Sequence, residues 1–187
     1  MKKLLFFTVL TVTAVFLSGC SSAPKPVKQR ALFEDMQKMS DEILKSGGLA
    51  VVGIGESKSL ELALNKAKTN GRRELAQMLT VKVESLEKAF MDETGTPEDA
   101  EIMSQFTTTT KVITSQQLAG SVAQELKYEV IGNTVTAYAL MVLDPQTIVD
   151  QLAKEKELYT RLQSTKAFDE LDKEIKEYEA WKASQNM

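Results

Sequence analysis

The 187-residue chain is 43% hydrophobic and 26% charged, a composition that excludes a disordered chain and suits one globular domain with appendages. Its 26 acidic against 23 basic residues argue against nucleic acid or anionic head groups as the main partner, since both are bound through basic surface. No histidine occurs anywhere, so a Ser-His-Asp triad, a His-ligated zinc and an imidazole acid/base are all excluded.

Residues 1–19 read as an export signal. Lys2-Lys3 precede the apolar run Leu4 to Leu17, and Ser18-Gly19 supply the small residues of a cleavage region. The run is too short for a relaxed bilayer span, which needs about 20 residues. Leu17-Ser18-Gly19-Cys20 resembles the lipobox of bacterial lipoproteins, in which the cysteine after the cut is acylated and becomes the new N-terminus. Cys20 is the only cysteine of the chain and has no partner for an internal disulfide. The reading is a palmitate-type lipid anchor at Cys20, with more than one acyl chain for stable attachment. Ser21 after the cysteine implies, in lipoproteins that resemble this one, sorting to the outer membrane. Without Lys2 and Lys3 the mature chain has 21 basic against 26 acidic residues, a formal charge near −5.

Residues 20–30 carry Pro24, Pro26, Lys25 and Lys28 and almost no large apolar side chain, the composition of a spacer. Over 31–48 the spacing of Leu32, Met36, Met39 and Ile43 predicts an amphipathic helix that docks on the domain or on a neighbour, and Ser46-Gly47-Gly48 stops it.

The domain proper is assigned to 49–144. Leu49 to Ser57 reads as a buried strand that ends in a glycine corner, Gly53-Ile54-Gly55. Behind it Leu60, Leu64, Ala67, Gly71, Leu75 and Met78 lie on one helical stripe whose middle is small, so the helix can lie close on a sheet. Leu79 to Leu86 alternates apolar and polar side chains and predicts a second strand with Leu79, Val81 and Val83 inward. Thr96-Pro97-Glu98-Asp99 forms a helix start, and Ile102, Phe106 and Ile113 continue a helical stripe despite the β-branched run Thr107 to Thr110.

A hairpin follows. Leu126, Tyr128 and Val130 alternate with Glu125, Lys127 and Glu129; Gly132-Asn133 supplies a two-residue turn; Val135, Ala137, Ala139, Met141 and Leu143 alternate again. This register sets Val130 against Val135, Tyr128 against Ala137 and Leu126 against Ala139, apolar against apolar. Read as core, Leu126 would cost about 2–5 kcal/mol to truncate to alanine. The elements so far make a β-α-β unit followed by a helix and a β-hairpin, four strands in all. The four strands contain no proline, so their sheet edges are open to pairing with another chain.

Residues 145–187 form a C-terminal helical extension. Asp144-Pro145 opens it, with Ile148, Leu152, Tyr159 and Leu162 on one side. Phe168, Leu171, Ile175 and Tyr178 then form a second stripe, which either packs on its own domain or makes a short coiled-coil arm.

Gly53-x-Gly55 resembles the start of a dinucleotide fingerprint, but Lys58 stands where the third glycine belongs, so the glycines read as architectural. Arg72-Arg73 reads as surface charge, and Glu84, Glu87, Asp92 and Glu93 as solvated carboxylates outside any catalytic motif. No catalytic, cofactor-binding or metal-binding residue is assigned, and no small-molecule substrate is expected.

Taken together, the lipobox, Gly53-x-Gly55, the helix through Ala63, Ala67 and Arg72-Arg73-Glu74-Leu75-Ala76, Val81-x-Val83-x-Ser85 and the hairpin near Leu126 to Leu143 resemble the LPP-twenty family of bacterial outer-membrane lipoproteins, which is similar to the flagellar basal-disk lipoprotein of polar flagellates. The resemblance spans about Leu49 to Leu143. It implies the fold class α+β, with a four-stranded, mainly antiparallel sheet that carries helices on one face. It also implies outer-membrane attachment and a self-associating or envelope-structural role for which a flagellum is one setting, with a homo-oligomer or another envelope protein as partner and no catalytic residue to carry over. The competing expectation is a monomeric binding or regulatory lipoprotein that acts on an envelope enzyme or a host surface.

Overall fold

A computed structural model describes residues 30–95, 100–121 and 123–185. The export signal, Cys20, the spacer and the Thr96-Pro97 helix start lie outside these residues. The elements run α1 (Arg30–Lys45), β1 (Leu49–Ser57), α2 (Leu60–Thr94), α3 (Ala100–Gly120), β2 (Ala123–Ile131), β3 (Thr134–Leu143), α4 (Gln146–Leu152), α5 (Lys156–Leu162) and α6 (Lys166–Gln185). The class is α+β, with an antiparallel sheet in the order β1-β3-β2.

The expected strand over Leu79 to Leu86 does not form: it is the middle of α2, a helix of 35 residues. Leu75, Leu79, Val83, Leu86 and Phe90 continue the buried stripe that Ala63, Ala67 and Gly71 begin, at steps of four, four, three and four. Leu79 and Val83 fit either reading, since they are both two apart along an alternation and four apart along a helix. Val81 separates the two, and it is 61% exposed. No glycine or proline stands between Gly71 and Gly95 to stop the helix, so burial of its stripe outweighs the β preference of two valines. The described sheet therefore has three strands, not four.

Close packing of α2 on the sheet rests on small residues from both sides. A methyl group added at Gly53 would come within 2.2 Å of the Ala67 carbonyl oxygen, and one at Gly55 within 2.3 Å of the Ala63 carbonyl oxygen. The glycine corner thus allows helix backbone to lie directly on strand backbone, a contact that any side chain would prevent.

Helices also cover the second face of the sheet, contrary to the one-faced arrangement expected. Ala50 and Val52 of β1 and Tyr138 and Leu140 of β3 are buried there with Met36 and Ile43 of α1 and Tyr178 of α6. On the first face Ala137, Ala139 and Met141 of β3 join the α2 stripe, together with Ile102, Phe106 and Ile113 of α3 and the apolar residues of α4 and α5. The turn after α1 uses Gly47 at φ +91°, a left-handed position that favours glycine.

The C-terminal segment packs on the domain rather than standing off as an arm. Leu171 and Ile175 of α6 are part of the first-face core. Both carboxylate oxygens of Glu93, at the end of α2, accept from the free N–H groups of Lys166 (2.9 Å) and Ala167 (3.2 Å) at the start of α6. An anion at a helix N-terminus satisfies otherwise unpaired donors and opposes the helix dipole. Lys182 Nζ donates to Asp144 Oδ2 at 2.6 Å, which pins the far end of α6 to the end of β3. Burial pulls the Lys182 pKa down, but its hydrogen bonds to Asp144 and Glu179 outweigh that and hold it at about 12.

Candidate interaction surface

The hairpin has the expected register: Leu126 faces Ala139, Tyr128 faces Ala137, Val130 faces Val135 and Ile131 faces Thr134. Gly132 alone takes a positive φ, +58°, in the two-residue turn, the pattern of a type II′ hairpin with glycine first. The burial of β2, however, is the reverse of the expectation. Leu126, Tyr128 and Val130 are 40%, 51% and 60% exposed, whereas Glu125, Lys127 and Glu129 on the opposite face are half-buried. The first-face core that includes Val135, Ala137 and Ala139 of β3 does not include these three side chains.

With the fourth strand absorbed into α2, β2 has a strand partner on one side only. Leu126→Ala is accordingly expected to cost less than about 1 kcal/mol, a value typical of exposed sites, as read from the denaturant midpoint. A cost in the core range would mean that the stripe is covered.

The charged face of β2 has its own contacts. Tyr138 donates its phenolic O–H to Glu129 Oε1 at 2.7 Å, and Lys127 pairs with Glu125 at 3.0 Å. Burial, then the Glu129 carboxylate, push the Tyr138 pKa well above the usual tyrosine range, so the phenol stays a hydrogen-bond donor at physiological pH.

The other edge of the sheet is treated differently. Along β1, Asn70 Nδ2 of α2 donates to the Ile54 carbonyl at 2.7 Å, and Lys66 Nζ donates to the Glu56 carbonyl at 3.0 Å. Two carbonyls of β1 are thereby occupied by helix side chains, a common way to blunt an edge.

A cleft of about 460 Å³ lies between α2 and α3, lined by Thr80, Glu84, Glu87, Thr107, Thr110, Lys111 and Ser115. Partial burial, then the neighbouring Glu84 charge, raise the Glu87 pKa. Thr80 Oγ1 donates to the Ala76 carbonyl at 3.0 Å and Thr110 Oγ1 to the Phe106 carbonyl at 2.9 Å, so these two hydroxyls already bond their own helices. Among the described residues no group of three or more His, Cys, Asp or Glu side chains is placed to hold a metal ion.

Several residues singled out in the sequence have structural roles. Gly53 and Gly55 admit α2 to the sheet, and Arg72 donates to the Ser121 carbonyl through Nη2 at 3.0 Å, tying α2 to the residue that follows α3. Glu93 caps α6. The sequence gives no local signal for that cap, because donor and acceptor lie in separate helices. Among the described residues no helix is long and apolar enough to cross a membrane. Comparison of the chain with protein-family models, curated proteins and solved structures finds no match in any of the three.

Proposed function

We propose that the chain is an outer-membrane lipoprotein, held by acyl chains on Cys20, that serves as a non-enzymatic structural or assembly subunit of the cell envelope. The observation that carries this reading is the ordered run of basic residues, apolar stretch and Leu17-Ser18-Gly19-Cys20, which addresses a globular domain to a membrane surface. The exposed apolar stripe on β2 supports the assembly half of the proposal, since an unpaired strand edge is a ready template for another chain. Tethering to one surface raises the local concentration of copies without any new contact. The resemblance to the LPP-twenty family adds a flagellum-associated setting as the particular form of this role.

Cys20→Ala is expected to abolish acylation and leave the precursor uncleaved by the lipoprotein pathway, while the domain still folds. Metabolic labelling with a fatty acid reads this directly, and undiminished label in the variant would remove the anchor. For the assembly half, crosslinking in intact envelopes is expected to trap multimers. Strictly monomeric protein would instead favour a binding or regulatory lipoprotein.

A further inference from the structure

We propose that β2 is a homodimerisation edge, on which two copies of this chain pair antiparallel about Tyr128 to make one continuous six-stranded sheet. The inference deepens the scaffold reading above and rests on it for the premise that copies associate.

The hairpin fixes which β2 groups face outward. A two-residue turn makes Ile131 and Thr134 the closing hydrogen-bonded pair. In an antiparallel ladder, hydrogen-bonded and non-bonded positions alternate. Glu129 and Lys127 therefore direct their N–H and C=O groups to β3, while Leu126, Tyr128 and Val130 direct theirs to the free edge. The residues with outward backbone are the same three whose side chains make the exposed apolar stripe.

An outward edge of this kind can meet its copy in three central registers. Centred on Lys127, the two lysines face each other and Glu125 faces the partner's Glu129. Centred on Glu129, the two glutamates face each other. Centred on Tyr128, Leu126 meets the partner's Val130 and Lys127 meets the partner's Glu129, each contact made twice by symmetry, while Tyr128 meets the partner's Tyr128 once, on the two-fold axis. This register sets apolar residues against apolar ones and opposite charges against each other. Lys127 and Glu129 also fall at non-bonded positions, where side chains approach closest. Like charges directly opposite destabilise the other two registers.

The β1 edge does not offer the same opportunity, because Asn70 and Lys66 of α2 occupy its Ile54 and Glu56 carbonyls. Head-to-tail pairing of β2 on β1 would displace them and would build an open filament. Pairing of β2 on β2 is isologous and closes at two copies.

The test uses the full chain in detergent. Lys127→Glu leaves three acids on one face of β2, and Glu129→Lys leaves two lysines beside Glu125. Each is expected to weaken the dimer about ten-fold or more in sedimentation. An equimolar mixture of the two variants is expected to regain a dimer, since each then supplies the opposite charge. Glu129→Lys also removes the acceptor of the Tyr138 hydroxyl, so a second measurement is independent of it. Tyr128→Cys is expected to give a disulfide-linked dimer on mild oxidation, because bonded antiparallel partners lie about 5.5 Å apart at Cα, within disulfide range. Glu56→Cys on the β1 edge is expected to give none. Multimers that ignore both charge reversals, with no crosslink at position 128, would overturn the β2 edge and leave the scaffold reading standing. A wild-type chain that stays monomeric in detergent and in envelopes would overturn both.

Discussion

Gly53→Ala is expected to destabilise the domain by about 3 kcal/mol or more, at or above the upper end of the usual cost of overpacking. The added methyl would lie 2.2 Å from the Ala67 carbonyl oxygen and 2.4 Å from the Gly71 nitrogen. Both neighbours are backbone atoms of a long helix, and neither can swing aside. Either α2 lifts from the sheet, opening the core along Ala137 and Ala139, or β1 bends away from β3. Gly71→Ala is the internal comparison: its nearest neighbour would be Met141 Cγ at 2.6 Å, the middle of a flexible side chain, and alanine gains about 1 kcal/mol of helix propensity over glycine. Urea denaturation of both variants reads the difference. Equal costs would mean that the strand, rather than its contact with α2, is what the glycine serves.

Phe90→Ala is expected to cost about 3–5 kcal/mol, the range for removing a fully buried aromatic side chain. Phe90 has no exposed surface, its ring centroid lies 5.4 Å from that of Phe106, and the Arg161 guanidinium sits over it at 5.9 Å. One side chain thus joins α2, α3 and α5, and its loss leaves a cavity where three helices meet. Val81→Ala, nine residues earlier on the outer face of the same helix, is expected to change the midpoint little. A strand over Leu79 to Leu86 would make Val81 a core residue and give it a comparable cost. The pair of measurements therefore separates the two secondary structures as well as testing the cavity.

Features with a local cause were legible in the sequence. Gly132-Asn133 and the alternation around it set the hairpin register, because turn length and side-chain parity must agree. The small residues Ala67 and Gly71 foretold a close helix–strand approach, although Ala63 is buried where the stripe placed Leu60, which is 37% exposed. The stripe Ile102, Phe106 and Ile113 outweighed the threonine run in α3. Features decided by distant parts of the chain were not legible. Leu79 and Val83 satisfy strand and helix spacing alike, and only the exposure of Val81 in the assembled fold distinguishes them. Alternation along β2 showed that Leu126, Tyr128 and Val130 share a face, but which face is covered depends on where α2 comes to rest. The role of Glu93 was hidden for the same reason, since it caps a helix that begins 73 residues later in the chain, at Lys166.

The pairing of Leu49 with Leu143 and the burial of Tyr178 against Ala50 and Val52 have a consequence in time. A chain that emerges from a translocation channel N-terminus first presents β1 long before β3 exists to receive it, and contacts between such distant residues are slow to form. β1 then waits as an unpaired strand whose own helix can offer only side-chain cover, through Asn70 and Lys66. The second face cannot close until the last turns of α6 have emerged. Under the export and lipidation proposed above, the chain is most exposed to wrong partners in the interval between acylation at Cys20 and release of the C-terminal helix.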